Sequence, residues 1–114
     1  MGYEGSAVTT NAMKVTYSPE SLEDLRRVVE FVEPQNPFAA RRIAIGIQEG
    51  VERLKSFPFI GLPVTSAIDP NKIRDLQINK YTLRYLIEKQ RNQILRVWHN
   101  RENKSVSEDQ QPTL

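Results

Sequence analysis

An α+β fold in the order β-α-α-β-β-β, an antiparallel sheet packed on one face by an antiparallel helix hairpin, is what this 114-residue chain predicts. Three observations predict it. Ser18-Pro19 and Asn36-Pro37 each open a run of apolar residues at helical spacing, a polar cap followed by a proline that has no N–H to lose in the first turn. Three later runs, Ile73 to Ile78, Tyr81 to Glu88 and Gln93 to His99, are strand-like and separated by hairpin-length breaks at Asn79-Lys80 and Lys89 to Asn92. With 39% hydrophobic residues, the chain supplies one core and not two.

Met13 to Tyr17 (MKVTY) alternates apolar and polar side chains and is rich in strand formers, so the first strand stands there, cut off by Ser18-Pro19. Leu22, Leu25, Val28, Val29 and Val32 form the stripe of a helix over Pro19 to Val32, whose N-terminal end is favoured by Glu20, Glu23 and Asp24. Ala40, Ile43, Ala44, Ile47, Val51 and Leu54 form the stripe of a second, longer helix, ended by Phe57-Pro58. The short link between the two folds them into an antiparallel hairpin. Gly46 and Gly50, four apart on the second helix, read as two tolerated glycines. Phe57 to Pro70, with three of the seven prolines, is an ordered connecting loop.

In the middle strand Tyr81, Leu83, Tyr85 and Ile87 share one face, and Thr82, Arg84, Leu86 and Glu88 the other. In the last, Leu95, Val97 and His99 share a face opposite Ile94, Arg96 and Trp98. Residues 1–12 are small and polar without periodicity and read as a flexible extension or a non-native remnant; they have neither the basic start nor the apolar stretch of a secretory signal. The folded domain occupies 13–104, and 105–114 read as a disordered tail.

Composition removes several classes of chemistry. Cysteine is absent and histidine occurs once, which excludes disulfides, thiolate metal sites, a cysteine nucleophile and multi-histidine metal sites. No apolar run approaches the ~18 to 20 residues that span a bilayer. The formal charge of +2 hides an asymmetry: Lys72 to Lys104 carries nine bases against Asp75, Glu88 and Glu102, a balance of +6, which favours an acidic or polyanionic partner. Phosphate loops, dinucleotide fingerprints and nucleophile elbows are also absent, so no cofactor is expected.

What remains is cationic chemistry on a sheet. Arg74, Arg84, Arg96, His99 and Arg101 all come from the three-strand meander and are expected to converge on one concave surface. Such a surface clamps RNA phosphates, with His99 as acid or base, or docks an acidic segment of a protein. The plainer reading makes Arg74 and Arg84 solvated charges, Arg96 a cover for Trp98 or Tyr85, His99 a partly buried histidine and Trp98 a packing residue.

The segments VTYSPESLEDL, NPFAARRIAIGIQEGVERL running into FPFIGLPV, and the paired strands INKYTLRYLIE and QILRVWHNR resemble the RelE/ParE superfamily of toxins from type II toxin-antitoxin systems, over essentially Met13 to Lys104. FPFIGLPV and ILRVWHNR resemble the ParE-like, plasmid-stabilisation branch, although Leu62 stands where that branch usually has arginine. The resemblance implies a small cytoplasmic bacterial toxin that inhibits DNA gyrase by protein binding and is neutralised by a cognate ParD-like or RelB-like antitoxin. The partner-binding residues are then Arg74, Arg84, Arg96, Trp98, His99 and Arg101.

The alternative is the RelE-like branch of metal-independent, ribosome-dependent mRNA endoribonucleases, with His99, Arg84 and Arg74 as catalytic residues. That branch commonly places an arginine where this chain has Thr82 and a tyrosine where it has Asn100. The antitoxin is expected to contribute an acidic, apolar-striped C-terminal segment that folds on binding.

Overall fold

A computed structural model describes residues 14–102. The extension expected over residues 1–12 and the tail expected over 105–114 lie outside them, as do Met13, Asn103 and Lys104. The elements are β1 (Lys14–Tyr17), α1 (Pro19–Val32), α2 (Pro37–Ser56), β2 (Leu62–Pro63), β3 (Ile73–Ile78), β4 (Tyr81–Ile87) and β5 (Arg91–His99), closed by a 3-10 turn at Asn100–Glu102.

Both helix starts obey their local signals. Ser18 Oγ accepts from the Ser21 N–H at 3.0 Å and Asn36 Oδ1 from the Ala39 N–H at 3.0 Å, each followed by proline in the first turn.

The sheet has five strands in the order β1-β5-β4-β3-β2. It is antiparallel except at β1, which joins β5 in parallel. The fifth strand is the pair Leu62–Pro63, set against Asp75 and Arg74 inside the segment expected to be loop. Ile47, Val51 and Leu54 of α2 pack on Leu76, Ile78, Leu83, Tyr85, Ile94 and Val97 to form the core. We call this the inner face of the sheet. The buried Asn92 ties the end of α2 to the sheet by donating to the Leu54 carbonyl.

Three expectations are corrected. A bulge between Arg84/Tyr85 and β5 sets Arg84 opposite Arg96 and Tyr85 opposite Ile94, leaving Leu95 as an extra residue. Ile94 therefore joins Val97 in the core instead of lying with Arg96 and Trp98.

The inward side of α1 is partly polar: Ser21 and Asp24 are buried beside Val28, and Leu25 packs on the core, whereas Leu22 of the expected stripe faces solvent. The cause lies in β5, which β1 pairs only as far as Ile94. Beyond that point α1 supplies the missing neighbour. The Ser18 N–H donates to the Ile94 carbonyl, the Ser18 hydroxyl to the Leu95 carbonyl, and Asp24 Oδ2 accepts the Val97 N–H at 2.9 Å.

The two glycines of α2 also differ. A Cβ at Gly50 would run into Ile78 Cδ1, with Cγ1 at 3.0 Å, so Gly50 sets the close approach of α2 to β3. At Gly46 the nearest atoms are 3.4 and 3.6 Å away, ordinary contact, and that glycine is a tolerated one.

Candidate functional site

The five cationic residues expected to converge are divided among four surroundings, four of them on the two faces of the sheet and Arg101 in the 3-10 turn. Arg84 lies on the outer face, opposite Asp75 in the β3–β4 register. Its Nε and Nη2 donate to the two Asp75 carboxylate oxygens at 2.8 and 3.0 Å, and the guanidinium stacks 5.1 Å above the Trp98 ring. Both Arg84 and Trp98 are buried, Trp98 to 1% exposure. Arg84 thus stacks on Trp98.

Arg96 shares the outer face but turns to α1, where its Nε and Nη2 bond the two oxygens of Asp24 at 2.8 and 3.2 Å. Burial of Asp24 works against its charge, but hydrogen bonds from Arg96, Val97 N–H and Arg27 outweigh it and hold the carboxyl below its ordinary pKa.

Arg74 lies on the inner face, opposite Tyr85, and is spent on backbone carbonyls. It donates to Asn71, Phe59 and Gly61, and stacks 5.0 Å from the Phe59 ring.

His99 also lies on the inner face, at the far end of the sheet from Arg74. It meets Tyr81 edge to face at 5.0 Å, and its Nδ1 accepts the Arg101 N–H at 2.9 Å, which places the proton of a neutral ring on Nε2. Burial, with the Glu102 carboxylate adding to it, pushes the Tyr81 hydroxyl above its ordinary pKa. Of the expected residues, His99 and Arg101 line one cavity.

That surface is a groove at the end of the sheet. A cavity of about 440 Å³ on one side of the Tyr81–His99 pair is walled by Val28, Phe31 and Val32 of α1 with Arg101. A second, of about 700 Å³, lies on the other side between α2 and the β3–β4 turn, walled by Ile43, Ile45 and Ile78 with Arg42 and Lys80. The turn closes tightly because Asn79 adopts φ 55°, a conformation asparagine tolerates. Arg42, Lys80 and Arg101 form no ion pair among the described residues, whereas Glu102 is paired with Arg27. Phe31 on the rim is 75% exposed. Glu49 also lines the larger cavity, but against Arg42, Lys80 and Arg101 it leaves the groove apolar at its base and net cationic at its edge, the chemistry that receives an acidic amphipathic segment.

Sequence reasoning missed the walls of the groove, because Tyr81, Phe31 and Ile45 carry no motif. It also passed over signals that were present. A two-residue turn at Asn79-Lys80 fixes Asp75 opposite Arg84, and neighbours on one strand, such as Arg74 and Asp75, point to opposite faces.

No group of His, Asp and Glu among the described residues is arranged to hold a metal ion. The hydroxyl of Thr82, the position where the nuclease branch is expected to carry an arginine, bonds the Gln77 and Asn100 side chains.

Comparison with known proteins adds the family. The structure is similar to a chain solved as the chromosomal ParDE toxin-antitoxin system of P. aeruginosa, with a TM-score of 0.63 and 18% identity, covering 78% of this chain and 97% of that one. It is similar also to the solution structure of a conserved hypothetical protein from Helicobacter pylori, with a TM-score of 0.50 and 13% identity, covering 78% and 96%. At these identities the likeness establishes the fold. No curated protein matches the chain. The family model for the ParE toxin of type II toxin-antitoxin systems (parDE) matches residues 15–104, and on that match this chain belongs to the ParE toxin family.

Proposed function

We propose that the chain is a toxin that inhibits DNA gyrase by binding it as a protein, without catalysis, and that a cognate antitoxin neutralises it in the cytoplasm. Membership of the ParE family over residues 15–104 carries this reading. The relative from P. aeruginosa, solved as a ParDE system, supports pairing with an antitoxin. No helix among the described residues is long and apolar enough to cross a membrane.

The placement of the cations favours binding over cleavage. Metal-independent cleavage of RNA needs an acid or base and cations around one phosphodiester. Here Arg84 is buried against Asp75, Arg74 bonds carbonyls on the inner face, and His99 stands at the other end of that face. Of the residues expected to bind partners, His99 and Arg101 act directly at the groove. Arg84, Arg96 and Trp98 act through the fold they hold, and Arg74 lies under the Phe57–Leu62 loop.

The groove's apolar base and unpaired Arg42, Lys80 and Arg101 fit the acidic, apolar-striped segment expected of the antitoxin. Purified chain should bind gyrase directly in a pull-down, and should leave mRNA on translating ribosomes uncut when cleavage is mapped codon by codon. Ribosome-dependent cuts that vanish in His99→Ala would replace this reading with the endoribonuclease one.

A further inference from the structure

We infer that the loop Phe57–Leu62 is the element with which this toxin grips its target: a rigid, uncharged apolar patch that packs on an apolar surface with an acidic rim on the target protein. The inference rests on the chain being an active toxin, and not on which protein it attacks.

The loop is built to hold its shape. Phe57 to Ile60 is a turn closed by the Ile60 N–H donating to the Phe57 carbonyl at 3.1 Å, with Pro58 at the position where proline presets the angle. The buried Tyr85 reaches up from β4. Its hydroxyl donates to the Pro58 carbonyl at 2.7 Å and accepts the Gly61 N–H at 2.9 Å. Arg74 Nη1 donates to the Phe59 and Gly61 carbonyls at 3.2 and 2.9 Å. Gly61 is required there, since a Cβ would sit 2.8 Å from the Asp75 carbonyl and 2.9 Å from the Tyr85 hydroxyl. Two side chains of the sheet thus fix the backbone of a six-residue loop.

What the loop displays is apolar. Phe57, Phe59, Ile60 and Leu62 are all exposed, Phe59 to 61% and Leu62 to 75%. Exposed apolar side chains grouped on one short segment mark a binding surface, and fixing them in advance lowers the ordering cost of association.

The loop carries no charge of its own, while Arg74 beneath it forms no ion pair among the described residues and touches the Phe59 ring. The matching surface is therefore apolar with carboxylates at its rim. The loop is built from the opposite end of the inner face from the His99 groove, which leaves the groove to the antitoxin.

The test uses the full chain with Phe59→Ala and with Leu62→Asp, beside Ile68→Asp, an 83% exposed position outside the loop, as control. Growth arrest is measured against induced toxin level, antitoxin affinity by titration, and folding by thermal melting. The loop variants should need roughly 30-fold more toxin for arrest, the effect of removing an interface anchor, with antitoxin affinity and melting unchanged. Ile68→Asp should match the wild type.

Loop variants as toxic as the wild type, or losing antitoxin affinity by the same factor, overturn the inference. So does a wild type that leaves growth unimpaired. If the loop variants lose toxicity while the wild type fails to bind purified gyrase, the loop stands and the gyrase identification falls.

Discussion

Replacing Asp24 with asparagine tests how α1 is held on the sheet. The carboxylate is 2% exposed and receives four hydrogen bonds, from Val97 N–H, two Arg96 nitrogens and Arg27 Nη1. Asparagine keeps the shape and an acceptor for Val97 but removes the charge. Breaking a fully buried ion pair costs about 3 to 5 kcal/mol. Arg96 and Arg27, with side chains 24% and 49% exposed, recover part of their hydration, which brings the expected loss to about 2 kcal/mol. For a domain of this size that is roughly 8 to 16 °C in Tm.

The pH dependence has a fixed sign. The folded carboxyl titrates below its ordinary value, so its stabilisation is complete above the unfolded pKa of about 3.9 and is lost as pH falls through the lower, folded one. Urea unfolding of both proteins at neutral pH and at successively lower pH reads this directly. The gap should be widest at neutral pH and narrow below about pH 4. A gap under about 0.5 kcal/mol at neutral pH, the level of an ordinary surface change, refutes the role given to Asp24.

Other outcomes follow from the same contacts. Gly46→Ala should raise stability by up to about 1 kcal/mol through helix propensity alone, whereas Gly50→Ala should lower it by about 1 kcal/mol despite the same gain, because Ile78 must move; thermal melts of the pair should shift in opposite directions. Tyr85→Phe should cost about 1 to 3 kcal/mol by leaving the Gly61 N–H and the Pro58 carbonyl without their partner, and should speed amide exchange at Gly61. Arg42→Glu combined with Arg101→Glu should weaken antitoxin binding by about tenfold or more at low salt and flatten its salt dependence, as titration at two ionic strengths will show.

Much of the fold was legible because its signals are local. Ser18-Pro19 and Asn36-Pro37 set the helix starts, Phe57-Pro58 set the end of α2, and alternation placed β3 and β4 on their observed residues to within one position. What escaped was decided by tertiary neighbours. The extra residue at Leu95 has no local signature, yet it moves Ile94 to the opposite face. Asp24 looks like an ordinary first-turn acid, and only the unpaired end of β5 explains its burial.

The candidate site was legible in part. His99 and Arg101 could be named as surface groups at a strand end. Their separation from Arg74 and Arg84 depends on face parity and on the partner opposite each arginine, Tyr85 for Arg74 and Asp75 for Arg84, which the summed charge of the segment conceals. The exposed Phe57–Leu62 loop drew attention as sequence but not as structure, because the residues that fix it, Arg74 and Tyr85, lie 13 to 27 positions away in the chain.

The most direct test of the central claim is DNA supercoiling by purified gyrase with this chain titrated in, followed by stoichiometric antitoxin. The account predicts that supercoiling falls with micromolar toxin and returns when antitoxin is added. Undiminished supercoiling at saturating toxin, from protein that still arrests growth, would contradict it.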